Sequence, residues 1–245
     1  MRLKIIFSFL FTAAFSFTTL TAADVSEYQV MRTTGKITID GLLNEADWAA
    51  AKPVGDFQFP WYTSGEKEQT QVKMLWDDTF LYVAYFCYDK HIWADHYNTN
   101  SETYLDDCVE IFWNPNPAAG KKYNMFEMNC IGNLLSVFDN LDNSKLLDHK
   151  IRLPHIAQTI QGTVNNDADT DTSWILEVAI RFSDYPELFN AKTPKDGDMW
   201  RVGLNRCGGK INQQYSQWSP SQTAQPNYHV PDDFGKIFFN MKPVR

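Results

Sequence analysis

The sequence predicts an all-β chain: a two-sheet antiparallel β-sandwich of jelly-roll-like, immunoglobulin-like architecture. Three observations carry this. Apolar runs rich in aromatic and β-branched residues are short and recur along the chain; several alternate apolar and polar with period two; and turn signals punctuate them, with only one short helical pattern.

Residues 36–40 read as a strand closing on Gly41, and residues 44–51 as one short capped helix before Pro53. The clearest hairpin follows. Residues 71–76 form its first arm, Asp77, Asp78 and Thr79 its turn, and residues 80–88 a return arm that is apolar on both faces, as a central strand requires. Further strands are predicted at 108–113, 123–130 and 134–138. In 174–182, Trp174, Leu176, Val178 and Ile180 alternate with Ile175, Glu177, Ala179 and Arg181, so the first set makes a core face. Strands at 200–205 and 236–239 complete the set. Trp48, Trp76 and Trp174 sit in apolar patterns and are expected in the core.

Ahead of these elements stand Arg2 and Lys4, an apolar run over residues 5–17, and the small residues Thr21, Ala22 and Ala23. That is the pattern of a secretory signal peptide over 1–23, too short in its apolar part to span a membrane comfortably. The reading is a secreted or periplasmic chain with one domain over 24–245. Taking 23 residues from 245 leaves 222, and without Arg2 and Lys4 the balance is 20 basic against 30 acidic side chains, a net charge of −10. With no basic cluster, nucleic acid and anionic membranes are excluded as partners, and neutral ligands fit better. Cys87, Cys108, Cys130 and Cys207 show no metal-like spacing; they are either bridges, with three possible pairings, or small buried hydrophobes.

The most informative segment runs from Ser101 to Trp113. It places Tyr104 in a loop, the acidic pair Asp106 and Asp107 after it, and Glu110 inside a strand. Alternation turns Glu110 away from Val109 and Ile111, to the side of Phe112. A flat ring beside a carboxylate suits a polyhydroxylated ligand: the ring covers an apolar sugar face and the carboxylate accepts from hydroxyls. Trp218, flanked by Ser216, Gln217, Ser219 and Pro220, is a second candidate ring, and Trp61 a lesser one. Glu110, Glu127 and Glu177 each interrupt a strand and invite a glycosidase reading, but alternation aims no two of them at a common bond. The acidic pairs Asp77 with Asp78 and Asp106 with Asp107, the triple Asp167, Asp169 and Asp171, and Asp232 with Asp233 are candidate calcium ligands. No histidine pair has a zinc spacing.

In chain order, Ile39-Asp-Gly41 with Asn44-Glu-Ala-Asp-Trp48, Leu75-Trp-Asp-Asp78 with Leu81-Tyr-Val83, and Asp106-Asp107 with Glu110-Ile-Phe112 form a series. It continues through Trp174 with Glu177-Val-Ala-Ile180, Gly197-Asp-Met-Trp-Arg-Val202, Asn205-Arg206, Trp218-Ser-Pro220 and Phe234-Gly235. The series resembles carbohydrate-binding module family 9 and its family-9-like relatives over residues 36–239. The resemblance implies a β-sandwich, structural calcium, and a non-catalytic site holding an oligo- or polysaccharide, at its reducing end, between two aromatic rings. The matching positions are Tyr104 and Trp218 for the rings and Glu110 for the carboxylate, with Asn205 and Arg206 bonding hydroxyls; Asp77, Asp78, Asp106 and Asp107 are the calcium candidates. Sugar-binding members also use an arginine in mid-chain, whereas residues 123–130 contain none. The alternative reading is a haem-carrying electron-transfer domain on the same sandwich, with Met125 and Met128 and either His229 or His149 as axial ligands. A glycoside hydrolase is the third.

Overall fold

The computed structural model describes residues 24–138, 145–146, 153–184 and 193–245. The leader read at 1–23 and the axial candidate His149 lie outside the described residues. One layer of the sandwich holds, in spatial order, β7 (Lys145–Leu146), β6 (Leu134–Phe138), β5 (Asn124–Asn129), β4 (Cys108–Asn114), β10 (Met199–Cys207) and β12 (Gly235–Pro243). The other holds β2 (Thr70–Trp76), β3 (Phe80–Tyr88), β9 (Ser173–Arg181) and β8 (His155–Gln161). Every pairing within each layer is antiparallel. The layers are joined by β1 (Glu27–Arg32), which pairs in parallel with both β12 and β2. The short β11 (Tyr215–Gln217) adds to β10.

Alternation builds the core. Trp174, Leu176, Val178 and Ile180 of β9 are buried together with Val83 and Tyr85 of β3, and meet Val109 and Ile111 of β4, Phe126 and Met128 of β5, and Val202 and Leu204 of β10. Each such side chain contributes about 1.5–3 kcal/mol by leaving water. Trp48 is buried too, in a second cluster outside β2 and β3. The Tyr85 hydroxyl crosses the core to donate to the Glu110 carbonyl at 2.9 Å, which pins the middle of β4 from the opposite layer.

The predicted hairpin is present, its turn closed by Asp77, whose Oδ1 accepts from the Thr79 and Phe80 amides. The helix is shorter than expected, Ala46–Ala50, and has no side-chain cap. Residues 36–40, expected as a strand, join no ladder. Their amides are taken by side chains instead: Thr38 donates to Glu45, and Asp40 with Gly41 to Glu177 Oε2.

Candidate functional site

β4, β5 and β10 turn their other face outward. There Phe112 supports a small cluster with Tyr123, Met125, Cys108, Cys207, Tyr228 and Phe234. His229 stacks on Phe112 at 5.1 Å between centroids, and its Nδ1 meets the Tyr123 hydroxyl at 2.8 Å. Beside this cluster opens a cavity of about 410 Å³ lined by Tyr104, Glu110, Met125, Glu127, Leu135, Tyr215, Pro226, Asn227, Tyr228 and His229. Tyr104 stands on one rim, 39% exposed, on the single 3-10 turn Thr103–Leu105, with its hydroxyl donating to Glu102 at 2.8 Å. Tyr215 and Tyr228 lie 6.4 Å apart, and Trp61 extends that aromatic wall at 5.6 Å from Tyr228. Tyr228 is held by its hydroxyl bond to the Arg206 carbonyl at 2.7 Å.

Glu110 and Glu127 are direct cross-strand partners on the cavity floor, and Asn205 is the partner of Glu110 on the other side. Both glutamates are almost fully covered, at 2% and 4% exposure. Asn205 Nδ2 donates to Glu110 Oε2 at 3.0 Å and the Cys207 thiol lies 3.3 Å from Oε1. Glu127 Oε2 has no hydrogen-bond partner among the described residues. Burial pushes Glu110 up to about 7 against the pull of Asn205 and Cys207. Burial, and then the charge of Glu110, push Glu127 well above the ordinary carboxylate range. Burial lowers His229, so its ring is neutral near pH 7. The floor thus carries two carboxyl groups that cannot both ionise cheaply.

Of the residues singled out from sequence, Tyr104, Glu110 and Asn205 come together here, and Glu127 joins them. Trp218 does not: it is 3% exposed, within the inner core, and its Nε1 donates to the Val54 carbonyl at 3.0 Å. Ser216, Gln217 and Ser219, the polar neighbours that suggested an open loop, are themselves buried, with Ser219 donating to the Asp233 carbonyl and the Gln217 backbone amide to the Gln58 carbonyl. Gly235 leaves the room that the Trp218 ring fills. Arg206 is a second correction. One residue beyond Asn205, it points inward, where it donates to the Tyr88 carbonyl at 2.7 Å and Asp89 at 2.8 Å, with Asp107 at 3.7 Å. Trp61 lines a neighbouring cavity of about 520 Å³ that shares Tyr215 and Pro226 with the first, and its Nε1 donates to the Thr223 carbonyl.

The calcium candidates spend their oxygens internally. Asp77 closes the hairpin turn and accepts from Tyr82, Asp78 pairs with Arg32, Asp106 accepts from the Asp95 amide, His96 and Asn129, and Asp107 accepts from the Trp93 and Gly209 amides. Among the described residues no three His, Cys, Asp or Glu side chains converge as a metal cage. Of the axial candidates for haem, Met125 and His229 line the cavity, while Met128 faces the opposite side of β5, in the core. Glu177 accepts from Trp48 Nε1 and the Asp40 and Gly41 amides, away from the other two glutamates. The four cysteines are buried free thiols.

Tyr215 and Tyr228 were not read from sequence, and His229 was read only as an axial candidate for haem. A usable signal existed: Pro226-Asn-Tyr-His-Val-Pro231 is a proline-bounded segment carrying aromatic rings, the same cue that marked Tyr104. Among curated proteins none matches the chain. Three solved structures share the fold. A Bacteroides uniformis protein described as a candidate carbohydrate-binding protein superposes with a TM-score of 0.70 at 18% identity, covering 89% of this chain and 100% of its own. A family 9 carbohydrate-binding module from Caldicellulosiruptor kristjanssonii follows in two complexes. With cellotriose the TM-score is 0.60 at 16% identity, over 88% of this chain and 95% of that one; with glucose it is 0.58 at 16%, over 89% and 98%. The sequence model of carbohydrate-binding family 9 matches residues 38–239, most of the chain and all of the strands that build the cavity. The chain belongs to carbohydrate-binding family 9.

Proposed function

We propose that this protein is an exported, non-catalytic carbohydrate-binding protein that holds a sugar of an oligo- or polysaccharide in the cavity between Tyr104 and the Tyr215–Tyr228 wall. The observation that carries the reading is the pairing of exposed and half-buried rings with floor carboxyls in one recess of sugar size. Tyr104 covers an apolar sugar face, Tyr215 replaces Trp218 as the facing ring, and Glu110 and Glu127 accept from hydroxyls. Family membership supports the same ligand class, and the modules from Caldicellulosiruptor kristjanssonii are seen with cellotriose and glucose.

Calorimetry with glucose, cellobiose, xylobiose and their borohydride-reduced forms tests this. Binding is expected in the millimolar to micromolar range, about −4 to −8 kcal/mol, and is expected to fall at least about tenfold in Tyr104→Ala and in Tyr215→Ala. Loss on reduction marks capture of a reducing end. Affinity untouched by both substitutions places the sugar elsewhere. New reducing ends released from glucan or xylan, and lost in Glu110→Gln, would overturn the non-catalytic part.

A further inference from the structure

The floor of the cavity is asymmetric. Both oxygens of Glu110 have a neighbour able to donate, Asn205 and Cys207, whereas Glu127, which lines the same cavity, has its Oε2 buried without a donor among the described residues. A buried carboxyl oxygen without a donor is costly, so a group that occupies the cavity and donates to it gains more than an ordinary surface contact would.

Which donor fits best follows from charge. The lining holds two glutamates and no lysine or arginine. The titratable groups that feel Glu110 or Glu127 from the packed elements are Tyr85, Tyr104, Tyr123, Tyr228, Cys108 and Cys207, all neutral acids that one or both carboxyls push further from ionising. His229 is the remaining ring and burial keeps it neutral. Among the described residues that line the cavity, none therefore offers a positive charge to the pair. A sugar hydroxyl donates one hydrogen bond and brings no charge that would let the pair ionise. An ammonium group supplies three donors and a positive charge, which favours the ionised form of the pair and lets a proton that the pair holds leave to solvent. Uronic acids and other anionic sugars are repelled by the same floor.

We propose that this site selects a sugar carrying a free, protonated amino group, seated with its ammonium between Glu110 and Glu127. This rests on the carbohydrate reading above and narrows its ligand to amino sugars. Binding is non-covalent: the ammonium enters and the proton shared by the two carboxyls leaves to solvent.

The test is calorimetry of the full chain near pH 6.5 with glucosamine, glucose, N-acetylglucosamine and cyclohexylamine, repeated in two buffers of different ionisation enthalpy. Glucosamine should bind at least about tenfold more tightly than glucose, the factor a charge-assisted hydrogen bond provides, and release a proton that glucose does not. N-acetylation should erase the advantage. Glu127→Gln should remove the preference, so that glucosamine and glucose bind the variant with equal affinity whatever that common affinity is, and glucosamine binding to it should no longer release a proton. Equal affinity for glucosamine and glucose overturns this inference and leaves the carbohydrate reading standing. Cyclohexylamine binding as tightly as glucosamine overturns the sugar part of it. Failure of all four ligands to bind overturns both.

Discussion

Glu127→Gln should make the folded protein more stable, and by an amount that depends on pH. In the unfolded chain Glu127 titrates near its ordinary value of 4.5; folded, burial and the adjacent Glu110 hold its proton to well above that. Between the two values the folded state binds more protons than the unfolded state, so stability falls as pH rises through that window. Each pH unit over which the folded chain keeps the proton and the unfolded chain has lost it costs about 1.4 kcal/mol. Glutamine has nearly the same shape and does not titrate, so the substitution removes that loss. Wild type and variant should melt alike at pH 4, and the variant should melt higher at pH 7, by about 2–4 °C for each kcal/mol recovered in a domain of this size. Thermal scans from pH 4 to pH 7.5 measure it. A gap that does not change with pH, or a variant less stable than wild type at pH 7, refutes the assignment of a strained carboxyl to the cavity floor.

Arg206→Ala should destabilise the fold by about 3–5 kcal/mol in denaturant melts, because it leaves Asp89 and Asp107 buried without their counter-ion. A cost below about 1 kcal/mol would mean water reaches them. Trp218→Ala should cost about 3–5 kcal/mol by emptying a core position, while Tyr104→Ala, on the rim, should leave the melt nearly unchanged; the reverse order would return Trp218 to the surface. Gly235→Ala should lower stability as well, since its new methyl meets the Trp218 ring, and Gly235→Ala with Trp218→Phe should recover part of the loss.

Where period-two alternation was strong, the sequence sufficed: the hairpin, β4, β9 and their inward residues stand where the pattern puts them. β1 was not legible, because its six residues carry little apolar signal and its role comes from two parallel pairings that are distant in the chain. Alternation also told that Glu110 faces outward, yet it could not tell that Glu127 is its register partner, which depends on how β4 and β5 align. Trp218 was misplaced for a related reason. Serines and glutamines normally mark a loop, but here they are buried beside β11 and bonded to backbone, and the tryptophan among them follows the strand inward.

The neighbours Asn205 and Arg206 show how closely binding and stability are interleaved in this sheet. A single step along β10 separates a cavity-floor amide that steadies Glu110 from an inward guanidinium that ties β3 to the segment before β4. A one-residue slip of β10 against β4 would exchange them, putting a cation beside Glu110 and an amide opposite Asp89 and Asp107. The register is held from both faces: inside by the ion network and by Tyr85 on the Glu110 carbonyl, outside by Tyr228 on the Arg206 carbonyl. Those bonds keep Glu110 and Glu127 opposed although their opposition costs stability, and an opposed pair is what a ligand able to donate and to carry positive charge would reward.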